Sequence, residues 1–126
     1  MIELLGLRTV IYPTEDLLAS KQWWQEFLGL APYFDEEFYV GFSIDGYELG
    51  LLPNGEVGDG AYTYWGVTDV MAAVDAAIEQ GCAIHADVAD VGAGIITALV
   101  MLPDESIVGF IYNPHFDGND DQSTLN

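Results

Sequence analysis

Basic residues are almost absent from this chain of 126 residues. It contains one arginine, Arg8, and one lysine, Lys21, but 21 acidic residues, so its formal net charge is -19. Nucleic-acid binding needs many lysines and arginines to neutralise phosphates, so the composition excludes that class of partner. Binding to an anionic membrane surface is disfavoured for the same reason. A cationic ligand would be attracted, although general solubility or adaptation to high salt explains the acidity more simply.

Cysteine is also scarce. Cys82 is the single thiol, so no disulfide can form within the chain and no oxidising compartment is needed. Its apolar surroundings predict a buried, unreactive side chain. The first residues, Met1-Ile2-Glu3, carry no basic region typical of a signal peptide. No apolar run reaches the roughly 20 residues of a membrane span, and we therefore expect a cytoplasmic protein.

Apolar and aromatic residues are abundant, at 51% and 13% of the chain, which is typical of a folded protein. The length suits one domain better than two, because two domains of about 60 residues would each bury too little surface. We predict a single domain over residues 1–116. The acidic segment 117–126 is expected to be a disordered tail.

The hydrophobic pattern predicts the same order of elements twice, namely a strand, a helix and three strands. Module one covers about 3–52 and module two about 61–113, with a linker rich in glycine at 53–60. Neither module covers its own sheet face. The predicted class is therefore α+β, with two βαβββ modules that form a curved mixed sheet with a concave cavity and helices outside.

Both predicted helices, 16–28 and 69–80, begin at an aspartate and are followed by a glycine, as capped helices commonly do. The repeat is visible in sequence as well. Leu49-Gly50-Leu51 near the end of module one parallels Val108-Gly109-Phe110 in module two. Strands are predicted at about 3–12, 31–35, 37–44, 47–52, 61–67, 82–89, 94–102 and 106–112.

Four segments resemble signatures of the glyoxalase/bleomycin-resistance/extradiol-dioxygenase superfamily, which has the vicinal oxygen chelate fold. They are 12–17 (YPTEDL), 23–30 (WWQEFLGL), 66–74 (GVTDVMAAV) and 103–116 (PDESIVGFIYNPHF). No single segment is specific, but their order, spacing and repetition together are. The resemblance covers residues 5–116 and implies ligand binding on the concave face of the sheet.

The resemblance also implies where metal ligands would lie in metal-dependent members. Those positions hold Thr9 and Tyr62, Gly109 in module two, and either Glu48 or Gly50 in module one. At most one expected ligand, Glu48, is therefore present. Zinc, iron and similar ions typically need about three protein ligands, so the sequence predicts neither a metal site nor a cofactor.

Strand alternation suggests which side chains line the concave face. An aromatic and apolar pocket with one carboxylate suits an apolar, aromatic or cationic small molecule. The alternative is that the aromatic residues fill the interior as ordinary core. The predicted ligand-binding residues are Thr9, Tyr39, Phe42, Glu48, Tyr62, Tyr64 and Ile111.

The resulting hypothesis is a metal-independent small-molecule-binding protein that resembles bleomycin-resistance proteins and holds its ligand in the concave face or in a dimer cleft. A homodimer is expected, with one of Trp23 and Trp24 in the core and the other at the interface between chains. One alternative is a glyoxalase-like lyase, isomerase or dioxygenase with an atypical or metal-free site. Another is a structural domain whose cavity is filled by its own side chains.

Overall fold

A computed structural model describes residues 3–54 and 57–115, so the predicted acidic tail at 117–126 lies outside the described residues. These residues contain two α-helices and eight strands in the order βαβββ, βαβββ, which confirms the predicted α+β class. The elements are β1 (Leu7–Pro13), α1 (Leu17–Leu28), β2 (Phe34–Glu36), β3 (Tyr39–Ile44), β4 (Tyr47–Leu52), β5 (Tyr62–Gly66), α2 (Val70–Glu79), β6 (Ala83–Asp90), β7 (Ile96–Met101) and β8 (Ile107–Tyr112).

The chain divides into two compact units. Of the described residues, the first unit comprises 9–54 and 57–61, and the second comprises 3–8 and 62–115. The start of the chain belongs to the second unit because the amide of Leu5 donates to the carbonyl of Gly66 at 2.8 Å. The amide of Gly66 in turn donates to the carbonyl of Gly6, also at 2.8 Å.

Local signals set the helix ends as the sequence predicts. The carboxylate of Asp16 accepts a hydrogen bond from the amide of Ala19 at 3.0 Å, and Asp69 caps α2 through the amide of Ala72 at 3.1 Å. These contacts satisfy amides that have no partner within the first helical turn. Gly29 ends α1 in the left-handed conformation, with φ of 72°, which glycine adopts without a steric penalty.

In the first unit the strand order is β2-β3-β4-β1, with β4 parallel to β1 and the other pairs antiparallel. The buried core consists of Val40, Phe42, Leu49 and Leu51, and side chains of α1 pack against it. Successive side chains of a strand point to opposite faces. The residues that alternate with these core positions on β3 and β4 therefore face away from the helix. They are Tyr39, Gly41 and Ser43 on β3, and Glu48 and Gly50 on β4.

In the second unit the order is β5-β8-β7-β6, with β5 parallel to β8 and the other two pairs antiparallel. Its core consists of Val67, Val70, Ala73, Val74, Ala98, Val100 and Phe110. Cys82 is half-buried and packs against this core. Among the described residues, neither helix is long and apolar enough to cross a membrane.

The two tryptophans of α1 differ in environment. Trp24 is half-buried, packs against the core of the first unit and stacks on Tyr12 with ring centroids 5.5 Å apart. Trp23 is 56% exposed and stacks on Phe27, with ring centroids 5.0 Å apart. One tryptophan therefore contributes to the core, as predicted, and a place for Trp23 at an interface between chains stays a prediction.

The position of Phe42 corrects the predicted ligand-binding set. Its side chain is 0% exposed and lies in the core of the first unit, beneath α1. Tyr39 and Phe42 are three positions apart on one strand, so their side chains point to opposite faces. Only one of them can share a face with Glu48, and the structure places Tyr39 there.

Candidate functional site

The carboxylate of Glu48 is held between two tyrosines on the face of the first unit that points away from α1. The hydroxyl of Tyr33 donates a hydrogen bond to Oε1 of Glu48 at 2.5 Å. The hydroxyl of Tyr39 donates to Oε2. Each carboxylate oxygen therefore accepts a phenolic hydrogen bond, and hydrogen bonds to an ionised acceptor are the stronger kind.

Strand pairing brings further polar residues to the same place. Glu48 is the register partner of Thr9 on β1 and of Ser43 on β3. Directly paired residues in a sheet point to the same face, so a hydroxyl-bearing residue lies on each neighbouring strand. Three of the residues predicted from the sequence, Thr9, Tyr39 and Glu48, thus come together; that they bind a ligand stays a prediction.

Glycines beneath the tyrosines make this arrangement possible. Gly41 and Gly50 are register partners on β3 and β4. A Cβ atom on Gly50 would lie 2.5 Å from Cζ of Tyr39, and one on Gly41 would lie 3.1 Å from Cε1 of Tyr33. Glycine inside a strand often marks such a close approach. Because these glycines have no side chain, the rings of Tyr33 and Tyr39 can pack directly against the sheet and reach Glu48.

A third ring completes the site. The ring centroid of Phe34 lies 6.4 Å from that of Tyr33 and 6.1 Å from that of Tyr39. Tyr33 is 61% exposed and Phe34 37% exposed, so the aromatic surface is open to solvent. We call Tyr33, Phe34, Tyr39 and Glu48, with Thr9 and Ser43 beside them, the Glu48 site.

Sequence reasoning did not select Tyr33, which it placed on a strand at 31–35; in the structure this residue precedes β2, which begins at Phe34. Its amide donates to the carbonyl of Gly41 at 3.0 Å, and this bond holds it beside β3. A signal was present in the two glycines on one sheet face, at 41 and 50. Such positions leave space that aromatic rings from neighbouring positions commonly cover.

In the second unit, Tyr64 plays a part similar to that of Tyr39. A Cβ atom on Gly109 would lie 2.7 Å from Cδ2 of the Tyr64 ring and 2.9 Å from Cδ2 of Leu99. Tyr62 is 6% exposed, and its ring lies 6.4 Å from that of His85. Ile111 lies two residues beyond Gly109 and shares its face of β8. One face of the second unit therefore carries Tyr62, Tyr64 and Ile111. On that face the ring of Tyr64 covers Gly109, and Tyr62 is buried.

The donor set does not fit the metal that the family resemblance implies. The described residues contain no group of three or more histidine, cysteine, aspartate or glutamate side chains able to hold a metal ion. At the expected ligand positions, the place above Gly109 is covered by Tyr64. Both oxygens of Glu48 already accept hydrogen bonds from phenols. A divalent metal site of about three protein ligands cannot be assembled from these side chains.

One tyrosine in each unit, Tyr33 in the first and Tyr64 in the second, has a raised pKa. Partial burial, the hydrogen bond to Glu48 and the negative charge of Glu48 hold the pKa of Tyr33 well above its ordinary value. Burial, followed by the proximity of Tyr62, raises the pKa of Tyr64 to about 12. Both effects disfavour the phenolate, which would be poorly hydrated or placed beside another anion.

These shifts predict a loss of stability at alkaline pH. Tyrosines of the unfolded chain ionise near pH 10, whereas Tyr33 and Tyr64 keep their protons in the folded protein. Above about pH 10 the unfolded state therefore binds fewer protons than the folded state, and the free energy of unfolding falls. Urea unfolding midpoints should therefore be level up to about pH 9.5 and then fall as pH rises toward the Tyr64 pKa of about 12. Tyr64→Phe should show a shallower fall, and an equally steep one would contradict the assignment.

The fold has solved counterparts, although no family model and no curated protein matches the sequence. A methylmalonyl-CoA epimerase from Streptomyces coelicolor superposes with a TM-score of 0.69 at 17% identity, over 91% of this chain and 99% of that chain. A glyoxalase/bleomycin resistance protein/dioxygenase superfamily member from Vibrio splendidus 12B01 gives 0.65 at 19% identity, over 85% and 99%. An NAD-dependent benzaldehyde dehydrogenase from Legionella pneumophila gives 0.65 at 15% identity, over 82% and 96%.

These similarities confirm the predicted vicinal oxygen chelate fold. At identities below 20% they define the fold and leave the chemistry to the site.

Proposed function

We propose that this chain is a metal-independent small-molecule-binding protein whose Glu48 site holds an apolar, aromatic or cationic ligand. The observation that carries the proposal is a carboxylate fixed by two phenols on an open face of the sheet. The hydrophobic core lies on the other face, under α1. The Glu48 site is therefore not needed to bury the core.

The ordering of the site supports binding over a purely structural role. A partly exposed glutamate is well hydrated without any partner, and fixing two tyrosines against it costs side-chain conformational entropy. A site that is already ordered loses less entropy when a ligand arrives, which favours affinity. The exposed faces of Tyr33 and Phe34 offer apolar contact area at the same place.

The charge requirement of the site gives the first test. Glu48→Gln keeps the size of the side chain but removes its negative charge, and we expect affinity for cationic ligands to fall about tenfold, since hydrogen-bonded charges contribute on the order of 1–3 kcal/mol. Affinity for neutral aromatic ligands should change less. Isothermal titration calorimetry with a panel of neutral and cationic aromatic compounds measures both.

Glu26→Gln is the matched control, because Glu26 is exposed on α1, outside the Glu48 site. It removes the same formal charge and should leave every affinity unchanged. The proposal is wrong if no compound of the panel binds the unaltered protein. It is equally wrong if Glu48→Gln and Glu26→Gln give the same affinities throughout.

A metal-free enzyme is the second candidate. A carboxylate 2.5 Å from a phenol is a pair from which general acid–base chemistry can be built, and one solved counterpart of the fold is an epimerase. Against it, each oxygen of Glu48 accepts a phenolic hydrogen bond, which takes up part of the acceptor capacity that a general base would use. Deuterium uptake from D₂O into acidic C–H groups of bound compounds, lost in Glu48→Gln, would favour the enzyme.

A homodimer and a cytoplasmic location complete the proposal. The exposed stack of Trp23 and Phe27 supports the dimer, since exposed aromatic side chains of this size are typical of interfaces between chains.

A further inference from the structure

We infer that the ligand of the Glu48 site carries a methylated ammonium group, which binds between the aromatic rings and the carboxylate. The inference rests on the proposed function and narrows it from small molecules in general to one class of cation. It is argued from the rings, the carboxylate of Glu48 and the hydrogen bonds that its oxygens accept.

Three aromatic rings lie together beside the carboxylate of Glu48. Phe34 is tilted by 55° to Tyr33 and by 56° to Tyr39, so the three rings are not stacked flat on one another. Tyr33 and Tyr39 direct their hydroxyl edges at Glu48, and the exposed parts of Tyr33 and Phe34 remain open to a cation. The face of an aromatic ring is its negative region and attracts a cation that approaches within about 6 Å of the centroid.

The charge of Glu48 has no matching basic side chain in the first unit. Among the described residues of that unit, the single lysine or arginine is Lys21. Its ammonium forms a salt bridge with Asp35 at 3.1 Å. Asp35 pairs with Val40, whose side chain is in the core under α1, so this salt bridge lies on the opposite face from Glu48. A ligand cation would therefore supply the positive charge that the Glu48 site lacks.

The hydrogen bonding selects among cations. A primary ammonium has three N–H donors and loses strong hydration unless acceptors replace it. In the Glu48 site, each carboxylate oxygen already accepts one hydroxyl, from Tyr33 or from Tyr39, which leaves about half of the acceptor capacity of the carboxylate for a primary ammonium. A methylated ammonium needs few acceptors or none, and its methyl groups pack against ring faces while the positive charge remains near the carboxylate. The site is thus better suited to methylated than to primary amines.

Three small probes test this inference on the full chain. Choline carries a trimethylammonium, 3,3-dimethylbutan-1-ol is its uncharged counterpart of the same shape, and ethanolamine carries a primary ammonium. We expect choline to bind about tenfold or more tightly than either of the others, as charge and cation–π attraction together imply. The N-methyl protons of bound choline should move upfield in NMR spectra, because they lie over aromatic faces.

Two variants connect the effect to the site. Phe34→Leu removes one ring while keeping an apolar side chain, and Glu48→Gln removes the charge. Each should weaken choline binding about tenfold, whereas binding of 3,3-dimethylbutan-1-ol should change little in Glu48→Gln. Glu26→Gln, outside the site, should bind choline as the unaltered protein does.

The inference is overturned if choline does not bind, if the uncharged alcohol binds as tightly as choline, or if ethanolamine binds more tightly. The wider proposal is judged separately, by the panel of neutral and cationic aromatic compounds. If that panel still binds in a Glu48-dependent manner while choline fails, the Glu48 site remains a ligand site and only the methylated ammonium is rejected. If neither the panel nor choline binds, both are rejected.

Discussion

Replacing Phe42 with alanine is expected to destabilise the protein by about 3–5 kcal/mol, the cost typical of removing a buried aromatic ring. The side chain is 0% exposed and lies among Val40, Leu49 and Leu51 in the core of the first unit. Its removal leaves a cavity that close-packed neighbours can fill only in part. Urea unfolding, with an unchanged slope against urea concentration, measures the loss.

Phe38→Ala is the matched control, because it makes the same chemical change at a residue that is 63% exposed, between β2 and β3. There the expected loss is below about 1 kcal/mol. A comparably small loss for Phe42→Ala would mean that Phe42 is not part of the core. It would return this residue to the ligand-binding set that the sequence predicted.

Replacing Gly50 with alanine is expected to abolish ligand binding at the Glu48 site. The new Cβ atom would lie 2.5 Å from Cζ and 2.8 Å from Cε1 of Tyr39, closer than carbon atoms can approach. Since these atoms belong to the outer part of the ring, Tyr39 can yield by swinging away from Glu48. We expect the hydrogen bond between them to be lost and the protein to be destabilised by about 1–3 kcal/mol, as overpacking commonly does.

Gly58→Ala controls for the loss of a glycine, because nothing lies within 4 Å of a Cβ atom at that position. Its stability should stay within about 0.5 kcal/mol of the unaltered protein, with ligand binding preserved. Calorimetric titration of ligands into the Gly50→Ala protein and a structure of this variant test the prediction. A Tyr39 hydroxyl that still donates to Glu48, together with unchanged affinity, would show that the glycine is not required.

The order of elements was predictable because its signals are local. Asp16 and Asp69 precede their helices by one residue and cap them. Asp45-Gly46 joins β3 to β4 with φ angles of 55° and 90°, and an Asp-Gly pair is typical of a hairpin turn of this kind. Such features depend on a few neighbouring residues, and one sequence is enough to read them.

The choice of sheet face was harder to predict. Alternation along β3 separates Tyr39 from Phe42, but it does not say which of the two faces α1 covers. In the structure, α1 packs against the face of Phe42 because the apolar residues Val40, Leu49 and Leu51 lie there as well. Comparison of β3 with β4 would have favoured this face, since the alternating partners of those residues are glycines, a serine and Glu48.

The sequence by itself determined the acidic charge, the βαβββ repeat and the helix ends, because composition and short-range patterns carry them. Only the tertiary structure decided the partners of Glu48. Tyr39 is nine residues from Glu48 along the chain and Tyr33 is fifteen. Their contacts depend on the register of neighbouring strands and on the space above two glycines. Register is set by burial of one sheet face as a whole, so no short stretch of sequence contains it.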